Sequence, residues 1–285
     1  MPAPINDVLA ELDRLLEPGR FEDYCVNGLQ VPGGEQISTL ATGVSAHAEL
    51  FELAAAEGAE LLLVHHGLFW GSGITAIDPV LARRLRLLFD SNIALAAYHL
   101  PLDAHPQLGN NALLARALGA EGELEPFALH RGQPIGFIAR LPGDPDEPGS
   151  PAGVPSAAGE PRPAGEPRAP APGEGIPATE LFARVRTVTA REPLVYDTGP
   201  ERVRRLAIVS GAGADYLEDA AAAGADGLLT GEVPERAMAQ ARESGLHLIA
   251  AGHYATETFG VKHLGEQLAE GFGLRHVFLD VPNPV

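Results

Sequence analysis

Short apolar runs recur along the chain, and glycine, proline or polar residues bound each of them. The run at 61–64 has four consecutive apolar residues, and His65 and His66 follow it at once. Runs of this length without polar alternation are typical of strands that are covered on both faces, as in a parallel sheet. Apolar runs predict three further strands, at 39–45, 93–98 and 206–210.

Segments with helical spacing of apolar residues lie between these strands. Between residues 4 and 17, the apolar positions fall on one side of a helix that Pro18 and Gly19 end. Asp78 followed by Pro79 is a typical helix start, because an aspartate caps the free amides and proline suits the first turn. The alternation predicts an α/β fold. The other predicted helices lie at 47–57, 109–118 and 179–190.

The second half of the chain resembles the first. Residues 49–62 align without gaps with residues 215–228, and further on Asp103 falls on Glu257. Two ordinary αβ units in an alanine-rich chain would also look alike, but internal duplication is the favoured interpretation. We therefore predict two similar α/β lobes, each a mixed, mostly parallel sheet flanked by helices, with a metal site between them.

The segment 142–177 differs from the rest in composition. Proline, glycine, alanine and glutamate dominate it, and leucine, phenylalanine, tyrosine and tryptophan are absent. Such a segment buries too little apolar surface to offset the entropy lost on ordering, which predicts a disordered linker. The predicted lobes are then 1–141 and 178–285.

Composition and charge exclude several classes of protein. The net charge of −18 disfavours a direct nucleic-acid surface, which needs clustered lysine and arginine. No apolar run approaches the roughly 20 residues of a membrane helix, and no signal peptide is evident at the N-terminus. Cys25 is the only cysteine, so an internal disulfide and a thiolate-rich zinc site are excluded. A cytoplasmic protein is the simplest expectation.

The predicted strands at 61–64 and 93–98, and a further apolar strand that precedes Gly252, are each followed by side chains that bind metals. There are six of these side chains. A catalytic divalent ion typically takes about three protein ligands and keeps a position open, so the six exceed the needs of one ion. Adjacent histidines on an extended backbone point apart, and each would serve a different ion while a carboxylate bridges the two. Imidazole and carboxylate suit zinc, iron or manganese. The residues in question are His65, His66, His99, Asp103, His253 and Glu257.

Five segments of the chain resemble the signature segments of one family. They are 23–31, 64–71, 98–105, 109–111 and 252–257. The family is the dinuclear metal-centre hexameric family, also called interacting-factor-three-like, whose bacterial members are commonly labelled GTP cyclohydrolase I type 2 homologues. The resemblance covers the chain except for the 142–177 insert. It implies a toroidal homohexamer with two divalent ions per subunit, held by His65, His66, Asp103, His253 and Glu257.

The resemblance and the ligand set together predict a metal-dependent hydrolase of a nucleotide-like small molecule. In the GTP cyclohydrolase interpretation, hydroxide attacks C8 of the guanine ring and formate leaves. His99 is the candidate acid or base, and an equal alternative is that it orients a metal ligand or is itself a third metal ligand. A phosphoester hydrolase would use the same metals. The alternative from another class is a non-catalytic, metal-binding hexameric scaffold that binds a partner protein.

Overall fold

The computed structural model describes residues 2–71, 76–142 and 175–285. The predicted linker, 142–177, lies mostly outside the described residues, although Ile176 and Pro177 form a short strand. None of the helices in the described ranges is long and apolar enough to cross a lipid bilayer. The helices are α1 (Ile5–Leu16), α2 (Ala48–Ala56), α3 (Pro79–Asp90), α4 (Leu100–Asp103), α5 (Asn110–Ala117), α6 (Ala178–Thr189), α7 (Leu217–Ala222), α8 (Ala237–Ser244), α9 (His253–Thr256) and α10 (Thr258–Phe272).

The strands of the described residues form two large sheets and two small two-stranded ones. The strands are β1 (Ala3–Pro4), β2 (Gly28–Val31), β3 (Gln36–Ile37), β4 (Thr39–Ser45), β5 (Leu61–His66), β6 (Ala94–Ala97), β7 (Glu121–His130), β8 (Gln133–Arg140), β9 (Ile176–Pro177), β10 (Leu194–Tyr196), β11 (Arg202–Val203), β12 (Arg205–Val209), β13 (Gly227–Thr230), β14 (His247–Ala250) and β15 (Arg275–Phe278).

The first large sheet has the order β15-β4-β5-β6-β2, and only its edge strand β2 is antiparallel to its neighbour. The second has the order β10-β14-β13-β12-β8-β7. Its centre, β12-β13-β14, is parallel, but the described pairs on either side are antiparallel and outnumber the parallel ones. The predicted α/β class with mixed sheets and flanking helices is confirmed, and the second sheet is less parallel than expected.

The order of elements repeats within the chain. The series β1-α1-β2-β3-β4-α2-β5-α3-β6-α4 recurs as β9-α6-β10-β11-β12-α7-β13-α8-β14-α9. Strand pairing repeats too, because β1 pairs antiparallel with β3 as β9 does with β11. Likewise β2 runs antiparallel to β6 as β10 does to β14. The agreement in order and direction supports the internal duplication inferred from the sequence.

The two repeats exchange their last strands. The β7–β8 hairpin follows the first repeat in the chain, yet β8 pairs with β12 of the second. In return, β15 follows the second repeat and pairs with β4 of the first. Strand pairing therefore crosses the proposed boundary between 1–141 and 178–285 in both directions, and the division into lobes remains a prediction.

Burial on both faces explains the apolar run that ends in the two histidines. On one side of β5, Leu61 and Leu63 pack in a cluster with residues of α1 and α10. On the other side, Leu62 and Val64 pack with residues of α2 and α3. Because side chains alternate along a strand, the next two positions also point to opposite faces. The strand thus delivers two imidazoles in different directions at its end.

The β8–β12 contact, which joins the two repeats, depends on a glycine. A methyl group at Gly136 would lie 2.5 Å from the carbonyl oxygen of Ile208 and 2.8 Å from Cγ2 of Val209. The nearer atom belongs to a paired backbone and has little freedom to move. At Gly271, in α10, the same addition meets nothing within 4 Å.

We expect Gly136→Ala to destabilise the protein by about 1–3 kcal/mol, because the added methyl forces two paired strands apart. Gly271→Ala should be neutral or stabilise the protein by up to about 1 kcal/mol, since alanine favours a helix. Urea unfolding followed by circular dichroism measures both variants. Equal free energies of unfolding for the two variants would contradict this account of the interface.

Candidate metal centre

Three chain segments place their histidines and carboxylates together. The strand β5 ends at His65 and His66, and His99 follows the parallel neighbour β6. The short helix α4 then brings Asp103 to the same place. From the second repeat, β14 is followed by α9, whose two ends carry His253 and Glu257. All of the residues singled out from the sequence as metal ligands are therefore neighbours in space.

His65 lies at the back of this cluster and is fully buried. Its Nδ1 is 3.0 Å from the carbonyl oxygen of Tyr98. Because a carbonyl only accepts, Nδ1 donates and Nε2 is directed to the cluster. There Nε2 lies 3.4 Å from Oδ2 of Asp103 and 3.7 Å from Oε1 of Glu257, yet it has no hydrogen-bond partner among the described residues.

Glu257 lies between three imidazoles. The residue is 2% exposed, with Oε2 3.2 Å from Nε2 of His66 and Oε1 3.2 Å from Nε2 of His253. Within the described part of the chain, Oε2 makes no hydrogen bond. The hydroxyl of Ser45 lies 3.1 Å from Nδ1 of His66 and orients that ring. The two oxygens of Glu257 therefore face different imidazoles.

Asp103 is held by amide and hydroxyl donors. Its Oδ1 accepts hydrogen bonds from Nδ2 of Asn110 at 2.8 Å and from Oγ of Ser210 at 3.1 Å. Asn110 in turn accepts from the backbone amide of Gly260 at 2.7 Å. These bonds leave Oδ2 of Asp103 directed toward His65, and they tie the carboxylate to both repeats.

His99 is oriented by Asp23. Its Nδ1 lies 2.7 Å from Oδ1 of Asp23. Burial opposes ionisation of Asp23, but the hydrogen bonds that it accepts from His99, Asn27 and the amide of Cys25 outweigh burial and lower its pKa to about 2. The ionised carboxylate keeps a proton on Nδ1, so Nε2 of His99 is the nitrogen left for other chemistry.

The charges in the cluster shift several other pKa values. Burial lowers the pKa of a histidine, but Asp103 and Glu257 outweigh it and raise that of His65 well above its usual value. Burial likewise opposes protonation of His253, yet Glu257 and Glu232 raise its pKa to about 9. For His66, burial prevails and lowers the pKa. Despite its burial, Glu257 has a pKa well below its usual value because of the imidazoles.

Two overlapping sets of donor atoms can each hold a metal ion. Within each set the nitrogen and oxygen atoms lie within 4.8 Å of one another. Buried polar atoms without partners are rare in native proteins, and an ion is one explanation for Nε2 of His65 and Oε2 of Glu257. The donor types fit a divalent metal. One set is His65, His66 and His99, and the other is His66, His253 and Glu257.

Gly211 makes room for Glu257. It has a φ of +62°, and a methyl group there would lie 2.4 Å from Oε1 of Glu257 and 3.2 Å from Nε2 of His253. The sequence analysis did not assign a role in the site to Gly211, Ser210, Asp23 or Asn110. Asp23 and Asn110 lie in the segments that carry the family resemblance, which is the one signal that pointed to them.

The cluster opens into a cavity of about 660 Å³. His66, His99 and His253 line it together with both carboxylates, Asp103 and Glu257. Cavities of this size are large enough for a drug-sized ligand. The arrangement therefore combines potential metal ligands with access for a small molecule.

Comparison with known proteins places the chain among relatives along its full length. The family profile for Duf34/NIF3 (NGG1p interacting factor 3) matches residues 3–284. A Pseudomonas aeruginosa protein named GTP cyclohydrolase 1 type 2 homolog is 40% identical over 100% of both chains. The solved structure of protein ybgI, of unknown function, has a TM-score of 0.82 and 34% identity, covering 99% of this chain and 100% of the other. A crystal structure from Thermus thermophilus has a TM-score of 0.81 and 34% identity, with the same coverage.

We expect Gly211→Ala, after incubation with a divalent metal, to retain much less of it than the wild-type protein, because the methyl displaces the carboxylate of Glu257. Gly224→Ala is the matched control, since Gly224 also has a positive φ, +71°, but open space around it. Both variants incur a similar backbone strain, roughly 1–2 kcal/mol. Elemental analysis of the purified proteins should separate them. Equal metal contents would show that the room at Gly211 does not matter to the site.

We also expect metal binding to release protons at pH 7. The raised pKa of His253, about 9, keeps its ring protonated at pH 7 in the metal-free protein, and a ligand nitrogen must be deprotonated. The pKa of His65 is raised as well, by Asp103 and Glu257. Apparent affinity should therefore rise with pH toward about 9. Calorimetric titration of chelator-treated protein with Mn²⁺, in buffers of different ionisation enthalpy, counts the protons. His253→Gln should release about one fewer, and a heat independent of buffer would refute the expectation.

Proposed function

The chain belongs to the Duf34/NIF3 family, and from that premise we propose that it is a metal-dependent hydrolase of a nucleotide-like small molecule, with two divalent ions per chain. The observation that carries the proposal is the pair of buried atoms for which the described residues supply no hydrogen-bond partner, Nε2 of His65 and Oε2 of Glu257. The name of the Pseudomonas aeruginosa relative supports the substrate class and makes GTP the first compound to test.

The proposed ligands are those that the family resemblance implies. One imidazole nitrogen binds one ion, so His66 completes only one of the two donor sets. Oε1 of Glu257 faces His65 and His253 and Oε2 faces His66, so this carboxylate would contribute to both sets, and Oδ2 of Asp103 lies beside His65. Zinc, iron and manganese all suit imidazole and carboxylate. The full ligand set is His65, His66, Asp103, His253 and Glu257.

Divalent ions held by these residues would lower the pKa of a bound water and would polarise the bond under attack. The chain itself contributes positioned proton carriers. Asp23 holds the proton on Nδ1 of His99, so Nε2 faces the cavity as an acceptor, which suits a general base or, once protonated, a general acid. The same carboxylate contact also suits a histidine that binds metal.

The further parts of the proposal concern assembly and location. The proposal of a toroidal homohexamer rests on the family resemblance. The proposal of a cytoplasmic location rests on the single cysteine. The net charge of −18 supports a small-molecule substrate over a direct nucleic-acid partner. A non-catalytic, metal-binding scaffold that binds a partner protein is the second candidate, because the family description itself names an interacting factor.

The test is to load the protein with zinc, manganese or iron and incubate it with GTP and with phosphodiesters. We expect about two ions per chain, and turnover that Asp103→Asn and Glu257→Gln reduce about a hundredfold or more. His99→Gln should keep its metal and lose turnover, whereas loss of metal would make His99 a ligand. Glu218→Gln, at an exposed carboxylate, is the control.

Fully loaded wild-type protein that turns over none of these compounds would contradict the hydrolase and favour the scaffold. A protein that retains no divalent metal after loading would overturn both accounts. Because metal content and turnover are measured on the same samples, the two failures are distinguishable.

A further inference from the structure

The cavity beside the metal ligands is also lined by planar side chains that the proposed hydrolysis does not use. Tyr24, His130 and Tyr216 line it, as does Trp70. They come from different parts of the chain, since His130 ends β7 whereas Tyr216 follows β12. A cavity with metal ligands and with several rings is suited to a ligand that itself has a planar ring.

The ring of Tyr24 is held in place by its neighbours, yet much of it is exposed. The guanidinium of Arg131 lies 5.4 Å from the centre of its ring, and Arg131 is itself paired with Glu22. The rings of Tyr24 and His130 are 5.2 Å apart at 54°. Nevertheless 48% of Tyr24 is exposed. Neighbours that fix a ring while leaving it accessible reduce the entropy lost when another ring stacks on it.

His130 has a nitrogen for which the described chain offers no partner. It stands at the tip of the β7–β8 hairpin, where Arg131 and Gly132 both have positive φ, as a two-residue hairpin turn requires. Its Nε2 is buried and makes no hydrogen bond with any described residue. Leaving such an atom unpaired costs free energy, which a ligand's hydrogen bond would recover.

Tyr216 provides a second ring. It packs edge-on against Phe127, with ring centres 6.3 Å apart at 69°. Trp70 lies closer to the metal ligands, with its ring centre 5.2 Å from that of His99 and its Nε1 bonded to the carbonyl of Gly67. The cavity therefore has rings both at the hairpin tip and beside the proposed proton carrier.

The charge of the lining favours recognition of a ring over recognition of phosphate. The described residues that line the cavity include the carboxylates Asp103, Asp215 and Glu257, and among them is no lysine or arginine. The side chains of this chain thus offer rings and hydrogen bonds to a ligand and leave its anionic groups to the metals.

We propose that Tyr24, His130 and Tyr216 form a recognition subsite for a planar, purine-like heteroaromatic ring of the substrate. The ring stacks on the two tyrosines and bonds with Nε2 of His130, within the same cavity that His99 and the proposed metal ligands line. The inference deepens the proposed function and rests on it for the identity of the ligand as a substrate.

Trp70 is the only tryptophan in the chain, so its fluorescence reports occupancy of the cavity. Metal-loaded protein is titrated with guanosine, and with ribose as the compound without a planar ring. We expect a saturable change with guanosine alone. Tyr24→Leu and Tyr216→Leu should each weaken binding roughly tenfold, since stacking of a base on an aromatic side chain is lost. His130→Phe should weaken it about fivefold, because a hydrogen bond is lost while the ring remains.

Two variants serve as controls. Tyr24→Phe keeps the ring and should bind within about threefold of the wild type. Leu129→Ala changes a neighbour of His130 that is 68% exposed, and it should bind as the wild type does. Metal content and circular dichroism of every variant show that the fold and the ligand set are intact.

The outcomes separate this inference from the proposed function. If guanosine binding depends on the two tyrosines but no turnover is detected, the subsite is supported and the hydrolase is contradicted. Turnover with an unchanged KM in Tyr24→Leu and Tyr216→Leu overturns the subsite alone. Equal affinity for ribose, or no saturable binding of guanosine, also overturns it.

Discussion

The close approach of buried imidazoles to buried carboxylates is the constraint on which the structure depends. Nε2 of His65 lies between Asp103 and Glu257, and all three side chains are removed from water. Groups of this kind are costly to bury unless other charges or bonds compensate them. The surrounding fold must therefore supply enough packing to hold them, and both faces of β5 do so.

The two repeats supply complementary parts of the site. Asp103 follows β6 of the first repeat, whereas Glu257 follows β14 of the second. Asn111, which follows the first repeat, forms a hydrogen bond with the second. Its side chain accepts from the amide of Ser210 at 2.7 Å and donates to the carbonyl of Ile135 at 2.7 Å. Neither repeat alone contains the whole set, and each repeat is paired with a strand that follows the other in the chain.

Much of this arrangement could be predicted from the sequence. Apolar periodicity predicted the main strands and helices, and the ends of parallel strands meet at one edge, which brought His65, His66 and Asp103 together. The roles of Ser210 and Gly211 could not be predicted, because their contacts with Asp103 and Glu257 join residues far apart in the chain. The β7–β8 hairpin could not be predicted for the same reason. Its partner β12 belongs to the other repeat, so local sequence patterns do not identify this pairing.

The exchanged strand β15 has a consequence for synthesis on the ribosome. Until residues 275–278 have left the exit tunnel, β4 is an edge strand with unpaired backbone groups, although its apolar residues Leu40, Ala41 and Val44 are buried in the finished fold. Exposed apolar edges are prone to pair with other chains. The nascent chain therefore carries this edge from the synthesis of β4 until that of β15, a long interval in which its backbone is open to pairing with other chains.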